Sequence, residues 1–302
     1  MSTVVAALGL GAMGLQMATH LAKTFTVKGY DIAPERAALG NEAGVATYPS
    51  AREAAHGADL VLVAVRNREQ LENLLYGEDG IAEVLKEGAA IILTSTVGID
   101  AVSEVAAKLK EQGIGLVDAP VSGGPARAGL GDLLVTVGAY PDVYAHALPV
   151  LEEMASTLVL VGDEPGKGQA MKTVNQLLCG IHIAAAGEAM ALAGRLGLDQ
   201  EQALEALMAG AAASFMLGDR APRSLQAYTP EGAEVKSRLD IFVKDMGIVT
   251  SAAKSVGMPV PVAAAAEQLY LTGMAGGQGA MDDSSIIKVV SPSNPTDFAG
   301  KE

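Results

Sequence analysis

The sequence has few of the residues that build metal centres and disulfide frameworks. Its 302 residues include one cysteine, Cys179, and four histidines, His20, His56, His146 and His182. A single cysteine cannot form an intramolecular disulfide, and the histidines lack the spacing of a zinc site. The sequence therefore predicts a protein of a reducing compartment, the cytoplasm, with no bound metal.

Positive charge is also scarce. Lys and Arg total 21 against 35 Asp and Glu, which leaves a formal net charge of -14. Nucleic acids and anionic membrane surfaces attract basic patches, so we expect neither as a partner. The apolar N-terminal stretch is broken by glycines and has no basic residue before Lys23. It therefore predicts a buried strand rather than a signal peptide or a membrane span, and a small molecule is the better candidate ligand.

What the sequence does contain is a regular alternation of short apolar runs and longer amphipathic segments over residues 3–160. Half of all residues are hydrophobic and 19% are charged, as in an ordinary globular protein. Helix-length patterns separate the early runs, and parallel strands need such long crossovers. The pattern predicts an α/β fold, a doubly wound, mostly parallel sheet of the Rossmann type. The seven runs are VVAALGL, TVKGYDI, LVLVAV, AAIILTS, GLVDAP, LLVTVG and TLVLVG.

The strand pattern stops after Gly162. From there the sequence is rich in Ala, Leu, Met, Glu and Gln, and a long apolar helical pattern runs to about Arg195. We expect a dinucleotide-binding domain over 1–162 and an all-α domain for substrate binding and oligomerisation over 163–302. Helix breaks are predicted at 197–199, 220–224 and 257–261.

A glycine-rich turn follows the first predicted strand. Gly9, Gly11 and Gly14 form GLGAMG, the fingerprint in which a tight turn and a helix N-terminus cradle a pyrophosphate. The residues between them, Leu10, Ala12 and Met13, complete the predicted cofactor-binding loop. The main alternative is the turn of S-adenosylmethionine-dependent methyltransferases, which lacks the third glycine at this spacing.

An acidic residue stands where the adenosine ribose should lie. Asp31 ends the second predicted strand, 22 residues after Gly9. A carboxylate there accepts hydrogen bonds from a 2′-hydroxyl and repels a 2′-phosphate, so NAD is favoured as the cofactor. NADP stays the less favoured alternative, because Arg36 lies five residues further on.

Three further turns follow predicted strands, at the sheet edge where open α/β sheets bind ligands. Val65, Arg66 and Asn67 follow the third run, and Thr96 follows the fourth. The turn after Asp118 contains Ser122, Gly123 and Gly124, whose backbone N–H groups and hydroxyl suit a carboxylate.

The start of the helical domain carries Lys172 and Asn175. Their i, i+3 spacing puts both on one helix face, which Gly168 shares. The helix dipole disfavours a lysine in the first turns, so its presence there suggests a role. Partial burial near this positive helix end would lower the pKa of the amine toward an acid/base range.

Together these motifs resemble the β-hydroxyacid dehydrogenases, the 3-hydroxyisobutyrate dehydrogenase-like family, over nearly the whole chain. They are GLGAMG, Asp31, STV at 95–97, DAPVSGG at 118–124, the Gly166–Asn175 pattern and FVKDMGI at 242–248. Three other stretches, at 65–77, 239–245 and 281–289, resemble most the L-threonate and related four-carbon sugar-acid dehydrogenases. The chain departs from the family at Gly98-Ile99, where many members have Ser-Pro, and at Gln176, where a second asparagine is common.

The resemblance implies roles for several of these residues. Lys172 would be the catalytic acid/base, and Asn175 would orient it or the substrate. Ser122, Gly123 and Gly124 would hold the substrate carboxylate. Thr96 would lie near the nicotinamide, and Lys244 would close over cofactor or substrate.

The function predicted is reversible hydride transfer between NAD and the hydroxyl carbon of a small hydroxy acid, a four-carbon sugar acid such as L-threonate. Alternatives are 3-hydroxyisobutyrate dehydrogenase, tartronate semialdehyde reductase, an imine reductase, or a non-catalytic dinucleotide sensor. Alanine-rich helix faces predict a homo-oligomer, with dimer and tetramer both open. Polar candidates to meet the additional hydroxyls of such an acid are Ser214, Asp282, Asp283 and Ser284.

Overall fold

In the computed structural model, which describes residues 3–298, the chain divides after Lys172 into two compact units. The first unit is built on one sheet, and within the described residues that sheet has nine strands. They are β1 Val4–Leu8, β2 Thr26–Tyr30, β3 Ala46–Thr47, β4 Leu60–Val63, β5 Ala90–Leu93, β6 Gly115–Asp118, β7 Val121–Ser122, β8 Leu133–Gly138 and β9 Ala155–Gly162.

The strand order is β3-β2-β1-β4-β5-β6-β8-β7, with β9 paired to β8. The pairs from β3 to β6 are parallel, as is β8 with β9, while β8 runs antiparallel to β6 and to β7. The chain leaves β1 to one side through β2 and returns to its other side through β4. This reversal creates the crevice at the carboxyl ends of the strands where such sheets bind dinucleotides.

Helices cover both faces of the sheet because successive strand residues point to opposite sides. In β1, Val5 and Ala7 pack in one apolar cluster, whereas Ala6 and Leu8 pack in the other. All four are at most 1% exposed. Burial on both faces explains why the sequence of β1 is a continuous apolar run rather than an alternation of apolar and polar residues. The helices that complete this unit are α1 Ala12–Leu21, α2 Pro34–Glu42, α3 Ala51–Ala55, α4 Arg68–Tyr76, α5 Ile99–Glu111, α6 Gly124–Ala128 and α7 Pro141–Met154, with a 3-10 turn at Ala82–Val84.

The next helix, α8 Lys167–Arg195, begins in the first unit and continues into the second. It is long and apolar enough to cross a membrane by length and composition, but 56% of its most apolar stretch is buried, as in core helices of soluble proteins. The second unit, as far as it is described, is helical. It contains α9 Gln200–Met208, α10 Phe215–Gln226, α11 Leu239–Ser255, α12 Pro261–Ala275, α13 Ile287–Val290 and 3-10 turns at Asp283–Ile286 and Pro295–Phe298.

The ends of these helices follow local chemistry. Asp199 and Ser214 cap α9 and α10, each accepting a hydrogen bond from the backbone N–H three residues later. Pro141 and Pro261 begin α7 and α12, where the missing N–H of proline has no cost. In the core of the second unit Tyr270 stacks on Phe242 at 5.5 Å between ring centroids.

The α/β class, the mostly parallel sheet and all seven predicted strands are confirmed, as are the helix breaks near 197–199 and 257–261. The break predicted at 220–224 is wrong, because Pro222 lies inside α10. A proline inside a helix costs about 3 kcal/mol. Ion pairs of Arg220 with Asp283 and of Arg223 with Asp282 hold this segment in helical form. The predicted domain boundary at 162/163 stays a prediction.

Candidate active site

The glycine-rich turn between β1 and α1 has the shape that a dinucleotide requires. Gly9 has a φ of +94°, and a Cβ there would lie 2.3 Å from the Ala64 carbonyl oxygen. A Cβ at Gly14 would lie 1.8 Å from the Gly9 carbonyl oxygen, so helix and strand approach closely only because both residues are glycine. A Cβ at Gly11 would meet nothing within 4 Å. That open space lies at the N-terminus of α1, where an anion is favoured.

Asp31 is fixed at the end of β2 by two backbone donors. Its Oδ2 accepts from Leu10 N at 2.6 Å, and its Oδ1 accepts from Ala33 N at 2.9 Å. The Leu10 side chain is buried in the core, whereas Ala12 and Met13 begin α1 at the mouth of the turn. The residues present fit NAD: the turn can take the pyrophosphate, and the carboxylate beside it can take the ribose hydroxyls.

The turns after β4 and β5 are joined by a hydrogen bond from Val65 N to Ser95 Oγ, at 2.8 Å. Asn67 caps α4, because its Oδ1 accepts a hydrogen bond from the Gln70 N–H at 2.9 Å. The side-chain oxygen of Asn67 is therefore used in capping this helix. The Arg66 side chain is exposed, and Thr96 is half-buried beside Ser95.

The turn after β6 holds the amine predicted to be catalytic. Val121 and Ser122 form β7, a two-residue strand paired with β8. Lys172 Nζ donates to the Val121 carbonyl oxygen at 3.0 Å and to Ser122 Oγ at 2.9 Å. Gly123 and Gly124 follow with φ of +142° and +76°, conformations that favour glycine. The first unit therefore holds a half-buried amine against the turn predicted to bind a carboxylate.

Asp118, at the end of β6, anchors the start of α8. Its Oδ2 accepts from the N–H groups of Gly166 at 2.9 Å and Gln169 at 2.8 Å. A Cβ on Gly168 would lie 2.4 Å from the Asp118 carbonyl oxygen, so this glycine permits the close approach. Burial raises the pKa of Asp118 to about 6, although the hydrogen bonds from Gln169 and Gly166 act to lower it.

Asn175 and Lys244 belong to the second unit. Asn175 Nδ2 donates to Gln176 Oε1 at 2.9 Å and lies 3.4 Å from Cys179 Sγ. Lys244 Nζ pairs with Asp245 Oδ1 at 3.0 Å, and the buried Asp245 carboxylate also accepts from Gln176 Nε2. Gln176, the departure from the family pattern, therefore links Asn175 to Asp245, the ion-pair partner of Lys244.

Three of the four candidates for additional substrate hydroxyls, Asp282, Asp283 and Ser284, are engaged within the protein, and for them the prediction is wrong, while for Ser214 it stays a prediction. Ser214 caps α10, accepting from the Leu217 N–H at 3.0 Å. Asp282, Asp283 and Ser284 have at most 1% of their surface exposed, and the two carboxylates pair with arginines of α10. Buried charges need such partners, so these groups are not open to a ligand.

Sequence reasoning missed two buried side chains. Gln169 joins the turns after β5 and β6 through its amide, and Asp245 joins Gln176 to Lys244. The sequence feature that could have identified Gln169 is its position in the same motif as Lys172, three residues before that lysine. Among residues 3–298, no group of three or more His, Cys, Asp or Glu side chains could hold a metal ion.

A glycine-rich turn between the first strand and the first helix, a carboxylate at the end of the second strand and an amine beside a hydroxyl form the arrangement expected of a nicotinamide-dependent oxidoreductase. Comparison with known proteins agrees. Residues 4–162 match the NAD binding domain of 6-phosphogluconate dehydrogenase, and residues 166–290 match a second domain described as the NAD-binding of NADP-dependent 3-hydroxyisobutyrate dehydrogenase. The chain belongs to the β-hydroxyacid dehydrogenase family, as its motifs predicted, and is an NAD-dependent hydroxyacid dehydrogenase.

Curated relatives match over nearly the full length. L-threonate dehydrogenase from Cupriavidus necator is 37% identical, with 96% of each chain covered. The L-threonate dehydrogenase of Escherichia coli K12 is 35% identical over 95% of this chain and 94% of the relative. Among solved structures, 3-hydroxyisobutyrate dehydrogenase from Salmonella typhimurium has a TM-score of 0.87 at 34% identity, covering 95% of this chain and 99% of that one.

Proposed function

We propose that this enzyme oxidises a four-carbon sugar acid such as L-threonate with NAD, using Lys172 as its acid/base. The observation that carries the proposal is the amine of Lys172, held 2.9 Å from Ser122 Oγ at the ligand-binding edge of the sheet. The full-length curated relatives that act on L-threonate support the choice of acid. 3-Hydroxyisobutyrate and tartronate semialdehyde are the alternative substrates.

NAD, when bound, accepts or supplies the hydride. Lys172 in its neutral form takes the proton of the substrate hydroxyl during oxidation, and its ammonium form returns one to the carbonyl oxygen during reduction. Ser122, Gly123 and Gly124 hold the substrate carboxylate through N–H groups and a hydroxyl. Asn175 orients the amine or the substrate.

The remaining predicted residues serve the cofactor. Residues 9–14 hold the pyrophosphate, and Asp31 accepts from the ribose hydroxyls, which favours NAD over NADP. Residues 65–67 and Thr96 line the nicotinamide side, and Lys244 closes over cofactor or substrate.

An imine reductase or a non-catalytic sensor fits these observations less well. Reduction of an imine does not require a site that binds a carboxylate. A non-catalytic sensor does not require an amine positioned for proton transfer. We also propose that the enzyme works in the cytoplasm as a homodimer or homotetramer, without a nucleic-acid or membrane partner.

The test is a dehydrogenation screen with NAD and NADP over L-threonate, erythronate, glycerate and 3-hydroxyisobutyrate, followed by Lys172→Ala. We expect the variant to lose about 10²- to 10⁴-fold in kcat, the usual contribution of a positioned acid/base, while its Kd for NAD is retained. Esters and amides of the substrate should react poorly, because they lose charge-assisted hydrogen bonds.

Lys167→Ala is the matched control. Lys167 lies five residues earlier on the same helix, is exposed, and pairs with Glu164 at 3.2 Å. Its removal should leave kcat as in the wild type. Normal turnover by Lys172→Ala would rule out the proposed mechanism.

A further inference from the structure

Gln169 uses its whole side-chain amide inside the first unit. It is fully buried. Its Oε1 accepts from the N–H groups of Val97 at 3.0 Å and Gly98 at 3.1 Å. Its Nε2 donates to the Ser95 carbonyl oxygen at 3.0 Å and to Asp118 Oδ1 at 2.9 Å. An amide has two donor and two acceptor positions, so all four are satisfied and the side chain has one orientation.

These four contacts join the strand-end turns at which the proposed site lies. Ser95 precedes Thr96, and its Oγ accepts a hydrogen bond from the N–H of Val65 at the start of the neighbouring turn. Asp118 precedes the turn that contains Ser122. One side chain therefore sets the spacing between the turn proposed to line the nicotinamide and the turn proposed to bind the substrate carboxylate.

The same side chain is tied to the helix that carries the amine. Gln169 and Lys172 are i and i+3 on α8, neighbours on one face. The Gln169 backbone N–H donates to Asp118 Oδ2 at 2.8 Å, so the carboxylate holds both the amide and the helix start. A displacement of this helix by a fraction of a turn would move Lys172 Nζ away from Ser122.

We propose that Gln169, acting through Asp118, is a positioning residue for the Lys172 amine and for the turn at 95–98. The inference rests on the proposed function of Lys172. Gln169 touches neither substrate nor cofactor in this role. It sets the geometry in which the amine and the two turns face one another.

The test is Gln169→Glu, which keeps the acceptor oxygen for Val97 and Gly98 but replaces the Nε2 donor with an oxygen that faces Asp118. At pH 8 the two carboxylates are ionised and repel each other, whereas at lower pH they share one proton, because burial already raises the pKa of Asp118 to about 6. The other charged groups at this start of α8 are Lys172, three residues along the helix, and the exposed ion pair of Lys167 and Glu164. We expect kcat to fall about 10- to 100-fold at pH 8, as for a misplaced catalytic group, with the Kd for NAD within about threefold of wild type.

The readout specific to positioning is the pH profile of kcat. As the pH falls toward 6, the shared proton restores a donor between the two carboxylates, so the variant should recover activity relative to wild type. Gln169→Met, which removes every hydrogen bond of the amide without adding charge, should lose kcat and show no such recovery. Gln200→Glu is the matched control, because Gln200 Nε2 also donates to a backbone carbonyl, that of Met190 at 2.7 Å. Its kcat should be unchanged.

The outcomes are separable from those of the proposed function. If the wild type oxidises hydroxy acids and Lys172→Ala does not, but folded Gln169→Glu keeps wild-type kcat and pH profile, this inference alone is overturned. Failure of both Gln169 variants to fold would make the residue a requirement for folding and would also overturn it. If the wild type oxidises no hydroxy acid, the inference fails together with the proposed function.

Discussion

At the scale of single residues, the Asp118 carboxylate is fully buried. It accepts hydrogen bonds from the backbone N–H groups of Gly166 and Gln169. Burial disfavours the ionised form and raises the pKa to about 6, against about 3.9 for an exposed aspartate. The folded protein therefore binds this proton more tightly than the unfolded chain. The stabilising effect of the proton is fully present below about pH 4 and is lost as the pH rises through 6.

We expect this loss to appear in a comparison with Asp118→Asn. Between pH 4 and pH 7, the free energy of unfolding of the wild type should fall by about 2 to 3 kcal/mol relative to the variant, since each pKa unit corresponds to about 1.4 kcal/mol. Urea unfolding at several pH values measures the difference.

Asp132→Asn is the control for this measurement. Asp132 is an exposed carboxylate whose pKa is lowered by Arg127. Its difference curve should slope in the opposite direction, with stability lost as the pH falls. A wild-type curve parallel to that of Asp118→Asn would show that burial of Asp118 does not shift its titration.

The site residues that could be predicted from the sequence differ from those seen only in the structure, and the difference has a physical reason. Gly9, Asp31 and Lys172 stand in short motifs, so their neighbours along the chain suggest their chemistry. The side-chain partners of Gln169 lie 51 to 74 residues away in sequence. Membership of the Lys172 motif marks Gln169 as a candidate, but local spacing does not reveal which distant residues its side chain contacts.

At the scale of elements, the second unit contains a buried ionic link between α10 and the 3-10 turn at Asp283–Ile286. Arg220 binds Asp283 through two hydrogen bonds, Nε to Oδ1 at 3.0 Å and Nη2 to Oδ2 at 2.9 Å. Arg223 Nε binds Asp282 Oδ1 at 3.0 Å. Burial raises the pKa of Asp283, and the Arg220 guanidinium opposes that shift.

Removing one partner of this link should be costly. Arg220→Met leaves Asp283 buried without its cation, and we expect a loss of about 3 to 5 kcal/mol in the free energy of unfolding. Arg220→Met combined with Asp283→Asn should lose clearly less than the sum of the two single variants, because the uncompensated charge is gone.

The exposed pair of Arg68 and Glu104 serves as the comparison. Both side chains are about half exposed, so Arg68→Met should change stability little. Additive single and double variants at Arg220 and Asp283 would contradict a coupled buried pair.

Helices and strands could be predicted where the hydrophobic periodicity of the sequence is strong. They could not be predicted where tertiary contacts determine the local conformation. The seven long strands lie in apolar runs of strand length, although β9 is partly exposed. β3 and β7 have two residues each, and they pair only because a neighbouring strand is already in place. The helix through Pro222 has the same origin, since the arginines on either side of the proline bind carboxylates about 60 residues away.

At the scale of the whole molecule, α8 carries an apolar face that the single chain leaves exposed. Val174, Leu178 and Leu192 are 56%, 50% and 59% exposed, and Ala185 is exposed between them. Positions 178, 185 and 192 recur every seven residues, the spacing that keeps one face of a helix toward a partner helix. Exposed apolar surface of this kind is a feature of subunit contacts.

We therefore expect Leu192→Glu to shift the enzyme from the proposed homo-oligomer toward the monomer. Light scattering after size exclusion at micromolar concentration measures the mass. Val256→Glu, at a residue that is 75% exposed outside this face, should leave the mass unchanged. The first unit does not contain Leu192, so NAD affinity should be retained while the mass falls. A wild type that is already monomeric at this concentration would contradict the prediction, because the apolar face of α8 would then be open to water in the working enzyme.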